Sequence, residues 1–301
     1  MNSGFRSIRV IACSGIVVCI ALGLVSTSVL AQPGQGRDFG GFGQPGVIPF
    51  AESNDPRVEN RSYHFADTDE DLPYCVFVSS KVEEDTEAPL IISLHGLGIG
   101  PGFMCQGAAI DLAEEGGYIL AAPLGYSVGG WYGSPVMNMR GRGPGAAEPA
   151  DLPEGPDPVD VAKWSEQDVF NVLAMVRNEF NIDDDRTYLM GHSMGGAGTF
   201  FLGSKHADEW AAIAPIAPAS FLMNENRAEI LQGIRNGGVP VMVVHGDMDE
   251  AVPVDNTRMW VATMEELGLE HEYVEVPGAT HGPIIDIGMP DIFAFFGKYA
   301  N

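Results

Sequence analysis

Short apolar runs alternate along most of the chain with stretches in which apolar residues recur at helical spacing. The runs RSYHF, YCVFVS, PLIISLH, YILAAP, TYLMG, WAAIAPI, VPVMVVHG and HEYVEV have the length and the β-branched content of strands, and the first two read as a leading hairpin. Between them, WSEQDVFNVLAMVRNEF predicts a helix opened by a capping box of Ser165 and Asp168. Asn256 to Leu267 predicts another helix, which Gly268 ends. Strands separated by helices predict a mostly parallel sheet with helices on both faces, an α/β fold. A chain of 301 residues is large enough for one such core. We expect it over residues 60–301.

Three segments break the pattern. Residues 32–59 are rich in Gly and Pro without a period, which predicts a flexible leader. From Gly125 to Trp164 runs a second Gly/Pro-rich stretch, too long for a plain connection and so expected to be a functional or mobile loop. At the start, Arg6 and Arg9 precede an uncharged apolar run from Val10 to Leu30, followed by Ala31. That order predicts a signal peptide over residues 1–31 and a secreted or periplasmic protein. An uncleaved anchor is the alternative, since such a run can span a bilayer.

The signal takes Cys13 and Cys19 with it. Cys75 and Cys105 are left as candidates for one disulfide of an exported protein, with two separate buried thiols as the alternative. The net charge of −25 becomes −27 once Arg6 and Arg9 are gone. Such an excess repels nucleic acid and anionic membranes, so neither is expected as a partner. Glu148, Asp151, Glu154, Asp157 and Asp160 lie in the long loop without EF-hand spacing. A solvated acidic loop is the expected reading, and no metal or cofactor is called for. Oligomeric state is not legible.

The candidate chemistry begins at TYLMGHSMGGAGTFFLGSKH. A strand, GHSMG and a helix form the setting of a nucleophile elbow, with Ser193 as nucleophile. A serine hydroxyl needs an imidazole to take its proton, a carboxylate to orient the imidazole, and N–H donors for the oxyanion. Asp249 in HGDMDEAVPV follows a later strand and is the expected acid. Asp247 is expected to bond a turn. His281 in THG, after the next strand, is the expected base, and His95, His192 and His245 are expected to shape turns. The oxyanion N–H groups are expected from Met194 and, in LHGLGIG, from Leu97, although Gly96 and Gly98 leave open which amide of that loop points inward. Tyr126, Trp131 and Tyr132 in the long loop offer aromatic surface for substrate, or else pack the loop against the sheet.

Taken together, LPYCVFV, PLIISLHGLG, LAEEGGYILAAPLGY, GGWYG, the segment from DVFNVLAMV through GHSMGG to APIA, HGDMDEAVPV and THG resemble secreted α/β-hydrolases of the polyhydroxybutyrate-depolymerase-like and feruloyl-esterase-like group. The same core is similar to the catalytic domain of prolyl oligopeptidases. The resemblance covers roughly residues 60–300 and implies a metal-free Ser–His–Asp hydrolase acting on small-molecule or polymeric esters. Prolyl oligopeptidases close their catalytic domain with a propeller, for which residues before 60 offer no room. Ester cleavage is therefore expected ahead of peptide cleavage, with polyester depolymerisation a further alternative.

Overall fold

The computed structural model describes residues 48–136 and 156–299. Eight strands form one sheet: β1 (Glu59–Phe65), β2 (Glu70–Val78), β3 (Ala88–Leu94), β4 (Ile119–Pro123), β5 (Ile182–His192), β6 (Ala212–Ile216), β7 (Val241–Gly246) and β8 (His271–Val276). Their order is β1-β2-β4-β3-β5-β6-β7-β8. β1 and β2 form the antiparallel hairpin, β2 pairs antiparallel with β4, and every later pair is parallel. Each of the eight apolar runs thus becomes a strand. Those in the middle of the sheet are buried on both faces, so they read as nearly unbroken hydrophobic stretches.

Among the described residues six α-helices cover the two faces: α1 (Ala108–Gly116), α2 (Pro158–Glu179), α3 (Met194–Lys205), α4 (Arg227–Gly237), α5 (Val254–Leu267) and α6 (Ile284–Phe296). The alternation of β3 divides the core. Leu90, Ile92 and Leu94 pack with Val172 of α2, Phe200 of α3, Ile230 of α4 and Trp260 of α5. Ile91 points the other way, toward Ile110 of α1 and Ile292 of α6. Gly268, in the left-handed region at φ 64°, ends α5 where the sequence placed its stop.

The start of α2 corrects the expected capping box. Asp157 is the cap, its side chain accepting from Val159 N at 2.8 Å, and Pro158 follows it inside the first turn. Ser165 and Asp168 lie buried within the helix instead. Ser165 Oγ accepts from Tyr132 N at 3.0 Å. Asp168 accepts from Tyr63 Oη at 2.5 Å, Gly125 N at 2.6 Å and Tyr126 N at 2.9 Å, which fastens the loop after β4 to the helix. Burial raises the Asp168 pKa against the effect of these three donors.

The boundary drawn at Asn60 also moves. Gly100 N donates to Pro49 O at 2.7 Å, Gly102 N to Phe50 O at 3.0 Å, and Ser53 Oγ to Cys105 O at 2.5 Å. Packed chain therefore begins by Ile48. These bonds use backbone carbonyls, which leave no apolar period to read. Cys75 in β2 and Cys105 form a disulfide. The expected signal over residues 1–31, residues 32–47, and Glu148, Asp151 and Glu154 lie outside the described residues. Among the described residues no helix is long and apolar enough to cross a membrane.

Candidate active site

Four loops at the C-terminal ends of parallel strands carry the predicted groups: Leu97 after β3, Ser193 after β5, Asp249 after β7 and His281 after β8. Ser193 sits at φ 58°, ψ −112°, a backbone conformation that costs a non-glycine residue roughly 1–3 kcal/mol. It is held there from both sides. Its N–H donates to Ile216 O at 2.9 Å, and its carbonyl accepts from Ala219 N at 2.9 Å and Ala197 N at 3.1 Å. A Cβ on Gly195 would run into the Leu94 carbonyl, so only glycine allows α3 to start this close to β3. Met194 N, in the first turn of α3, belongs to the amides that a helix leaves without an intrahelical acceptor.

The structure brings Asp249 and His281 together. His281 Nδ1 lies 2.7 Å from Asp249 Oδ2. A carboxylate only accepts, so Nδ1 carries the proton and Nε2 of a neutral ring is bare, the form a general base requires. The Asp249 side chain is fully buried. Burial pushes its pKa up, but hydrogen bonds from His245, His281 and Val252 N outweigh that and hold it well below the usual carboxylate range. Oδ1 accepts from Ala251 N at 2.9 Å and Val252 N at 2.8 Å, fixing the loop around the acid. Asp247 serves a turn, accepting from Gly278 N at 2.6 Å, which ties the loop after β7 to the loop after β8.

In the loop after β3, Leu97 N has no backbone acceptor among the described residues, while the Leu97 side chain is exposed. His95 anchors that loop: its fully buried ring lies between Gly96 O at 2.8 Å and Leu124 O at 2.7 Å. A neutral imidazole has one N–H, so it serves one of these carbonyls at a time. Burial lowers the His95 pKa.

The aromatic trio departs from the substrate reading. Tyr132 is fully buried beneath Gly198 and Gly125, with Oη 3.2 Å from His95 O, so its ring supports the loop after β3 and presents no surface. Trp131 is buried as well. Tyr126 packs on Trp164 and Phe65, 4.9 Å and 5.6 Å between centroids, and its hydroxyl donates to Glu70 at 3.1 Å. These rings fasten the loop to the sheet.

Two histidines expected only to shape turns touch the site. His192 Nε2 lies 2.9 Å from the His281 carbonyl, and the two rings are 4.5 Å apart. Burial first, and then the neighbouring His281, push the His192 pKa down to about 3, so the ring is neutral and donates through Nε2–H. His245 reaches Asp249 itself, at 3.2 Å. Neither shapes a turn: His192 ends β5 and His245 lies in β7, and they meet the site through the loop that carries His281 and the turn that carries Asp249.

Comparison with known proteins agrees with this architecture. The sequence model of the prolyl oligopeptidase family matches residues 224–301. Cutinase 1 of Thermobifida cellulosilytica is 34% identical over 100 residues, which are 33% of this chain and 34% of that protein. The chain spans 30% to 46% of the first curated relatives it matches. A ferulic acid esterase from Anaeromyces mucronatus superposes with a TM-score of 0.60 at 17% identity, covering 84% of this chain and 96% of that one. An S-formylglutathione hydrolase from Agrobacterium tumefaciens gives 0.64 at 14% identity, covering 84% and 100%.

Proposed function

We propose that this chain, which has the α/β-hydrolase fold, is a secreted serine hydrolase that cleaves carboxylic esters. The observation that carries the reading is the buried, ionised Asp249 holding His281 Nδ1 at 2.7 Å, with both loops at the same strand ends as the strained Ser193 elbow. His281 Nε2 takes the Ser193 proton as the hydroxyl attacks the ester carbonyl. Asp249 stabilises the imidazolium so formed, and the Met194 and Leu97 amides hold the oxyanion. The imidazolium then protonates the leaving alcohol. Water, activated by the same ring, releases the acid from the acyl-enzyme. Among the described residues Ser193 Oγ makes no hydrogen bond, and in hydrolases without substrate this contact commonly tightens only on binding.

Export is supported by the N-terminal pattern and by a disulfide, which persists in oxidising compartments. Ester cleavage is favoured by the cutinase and esterase relatives, which act on esters by their names. A peptidase reading has one specific support, the prolyl oligopeptidase match over the segment that carries Asp249 and His281.

Ser193→Ala assayed on a chromogenic short-chain ester tests the proposal. Turnover is expected to fall by about a thousandfold or more. Unchanged turnover overturns it. Parallel assays on aryl esters, feruloyl esters, polyester film and prolyl peptides separate the substrate classes.

A further inference from the structure

A second imidazole reaches the acid of the proposed triad. β7 ends at His245–Gly246, and the following turn carries Asp249 back toward the strand. The His245 ring is fully buried. Its Nε2 lies 3.2 Å from Asp249 Oδ2 and 3.0 Å from Val252 O, and its Nδ1 lies 2.7 Å from Thr257 Oγ1 in α5. A carboxylate and a carbonyl only accept, so Nε2 must carry a proton. In the neutral ring Nδ1 is then bare, and the Thr257 hydroxyl donates to it. The Nε2 contacts define the tautomer, and the Thr257 hydroxyl fits it.

This arrangement has a consequence for His281. Rotation about the terminal bond of an aspartate is broad, so hydrogen bonds must set the plane of the carboxylate. The Ala251 and Val252 amides hold Oδ1. Apart from His245, Oδ2 is held among the described residues only by His281, the ring it has to orient. His245 supplies a reference for Oδ2 that does not depend on the base, and it is fixed in turn by a strand and a helix of the core.

We propose that His245 is a positioning residue, which through Nε2–H holds the Asp249 carboxylate in the plane that orients His281 for proton transfer. The proposal rests on the triad reading above. A histidine that merely filled core volume would need neither the bifurcated donor to Asp249 and Val252 nor a hydroxyl partner at Nδ1.

His245→Phe keeps a ring of similar volume and removes the donor. His245→Gln places an amide N–H near the position of Nε2. On a short-chain chromogenic ester, kcat of the Phe variant is expected to fall by about tenfold to a hundredfold, the range for a hydrogen bond to a charged group, with KM little changed. The Gln variant recovers much of the loss. In an Asp249→Asn background His245→Phe costs little more, because the group it acts through is already altered.

Wild-type kcat in the Phe variant overturns the proposal. So does an equal fold-loss in the Asp249→Asn background, or a Gln variant no faster than Phe when both melt near the wild type. Thr257→Val removes only the hydroxyl that holds the ring at Nδ1 and is expected to lower kcat more mildly. If the Phe variant does not fold, wild-type kcat in Thr257→Val overturns the proposal instead. Ser193→Ala, assayed alongside, separates the two readings: if it keeps turnover the triad itself fails, whereas if it is dead while His245→Phe is fully active, only the positioning role fails.

Discussion

His192 shows how one residue links the site to the stability of the whole fold. Its ring is buried with a pKa pushed down to about 3, whereas an unfolded chain titrates a histidine near 6.5. Between those values the unfolded chain binds a proton that the folded chain refuses. Stability therefore falls as pH drops through that window, by up to about 1.4 kcal/mol per pH unit. His95, lowered by burial, acts with the same sign. Asp249 works in another window: its depressed pKa gives stability that is present above about pH 4 and is lost only below it. We expect the melting temperature to be lower at pH 5 than at pH 7, and the slope to be shallower in His192→Gln. Equal melting at the two pH values contradicts this account. The candidate residues could be picked from the sequence because they follow in chain order after β5, β7 and β8. The contacts of His192 and His245 could not, since each is made across a loop whose return path leaves no mark on periodicity.

At the scale of elements, the elbow between β5 and α3 is held by close approach to β3. Gly195→Ala would set a methyl group against the Leu94 carbonyl, which is backbone and cannot swing aside. We expect a loss of about 1–3 kcal/mol in denaturant unfolding, the usual cost of overpacking, with ester turnover falling as the Met194 amide shifts. Wild-type stability and turnover in this variant would show that the elbow tolerates the extra volume. The strands were legible because buried parallel strands are nearly continuous apolar runs. The beginning of α2 was not: Asp157 and Pro158 stand at the end of a Gly/Pro-rich stretch that reads as loop, while Ser165 imitates a cap and serves as an acceptor for Tyr132 N. Periodicity finds the body of a helix more readily than its first turn, where capping side chains replace backbone partners.

For the whole molecule, the disulfide between Cys75 and Cys105 joins β2 to the segment that continues the loop after β3, across a separation of 30 residues. Closing a loop of that size restricts the unfolded chain by about 3–4 kcal/mol in the chain-entropy account. Cys75→Ala with Cys105→Ala is expected to melt several degrees lower, and added reductant should then leave the double variant unchanged. A double variant that melts like the wild type would leave the crosslink without a stabilising role.

The strip from Ile48 to Ser53 bears on how this protein is handled. Hydropathy invites a cut at Asn60, just where the first strand begins. Such a truncation would keep the sheet and the proposed triad but remove the carbonyls of Pro49 and Phe50, the acceptors for Gly100 and Gly102. The expected product is a soluble, cooperatively melting protein whose kcat is down by as much as roughly a hundredfold, since small misplacements of catalytic groups can cost that much. A start upstream of Ile48 should retain full turnover. Assaying the two truncations side by side would show whether a segment that resembles a disposable leader is an integral brace of the oxyanion loop.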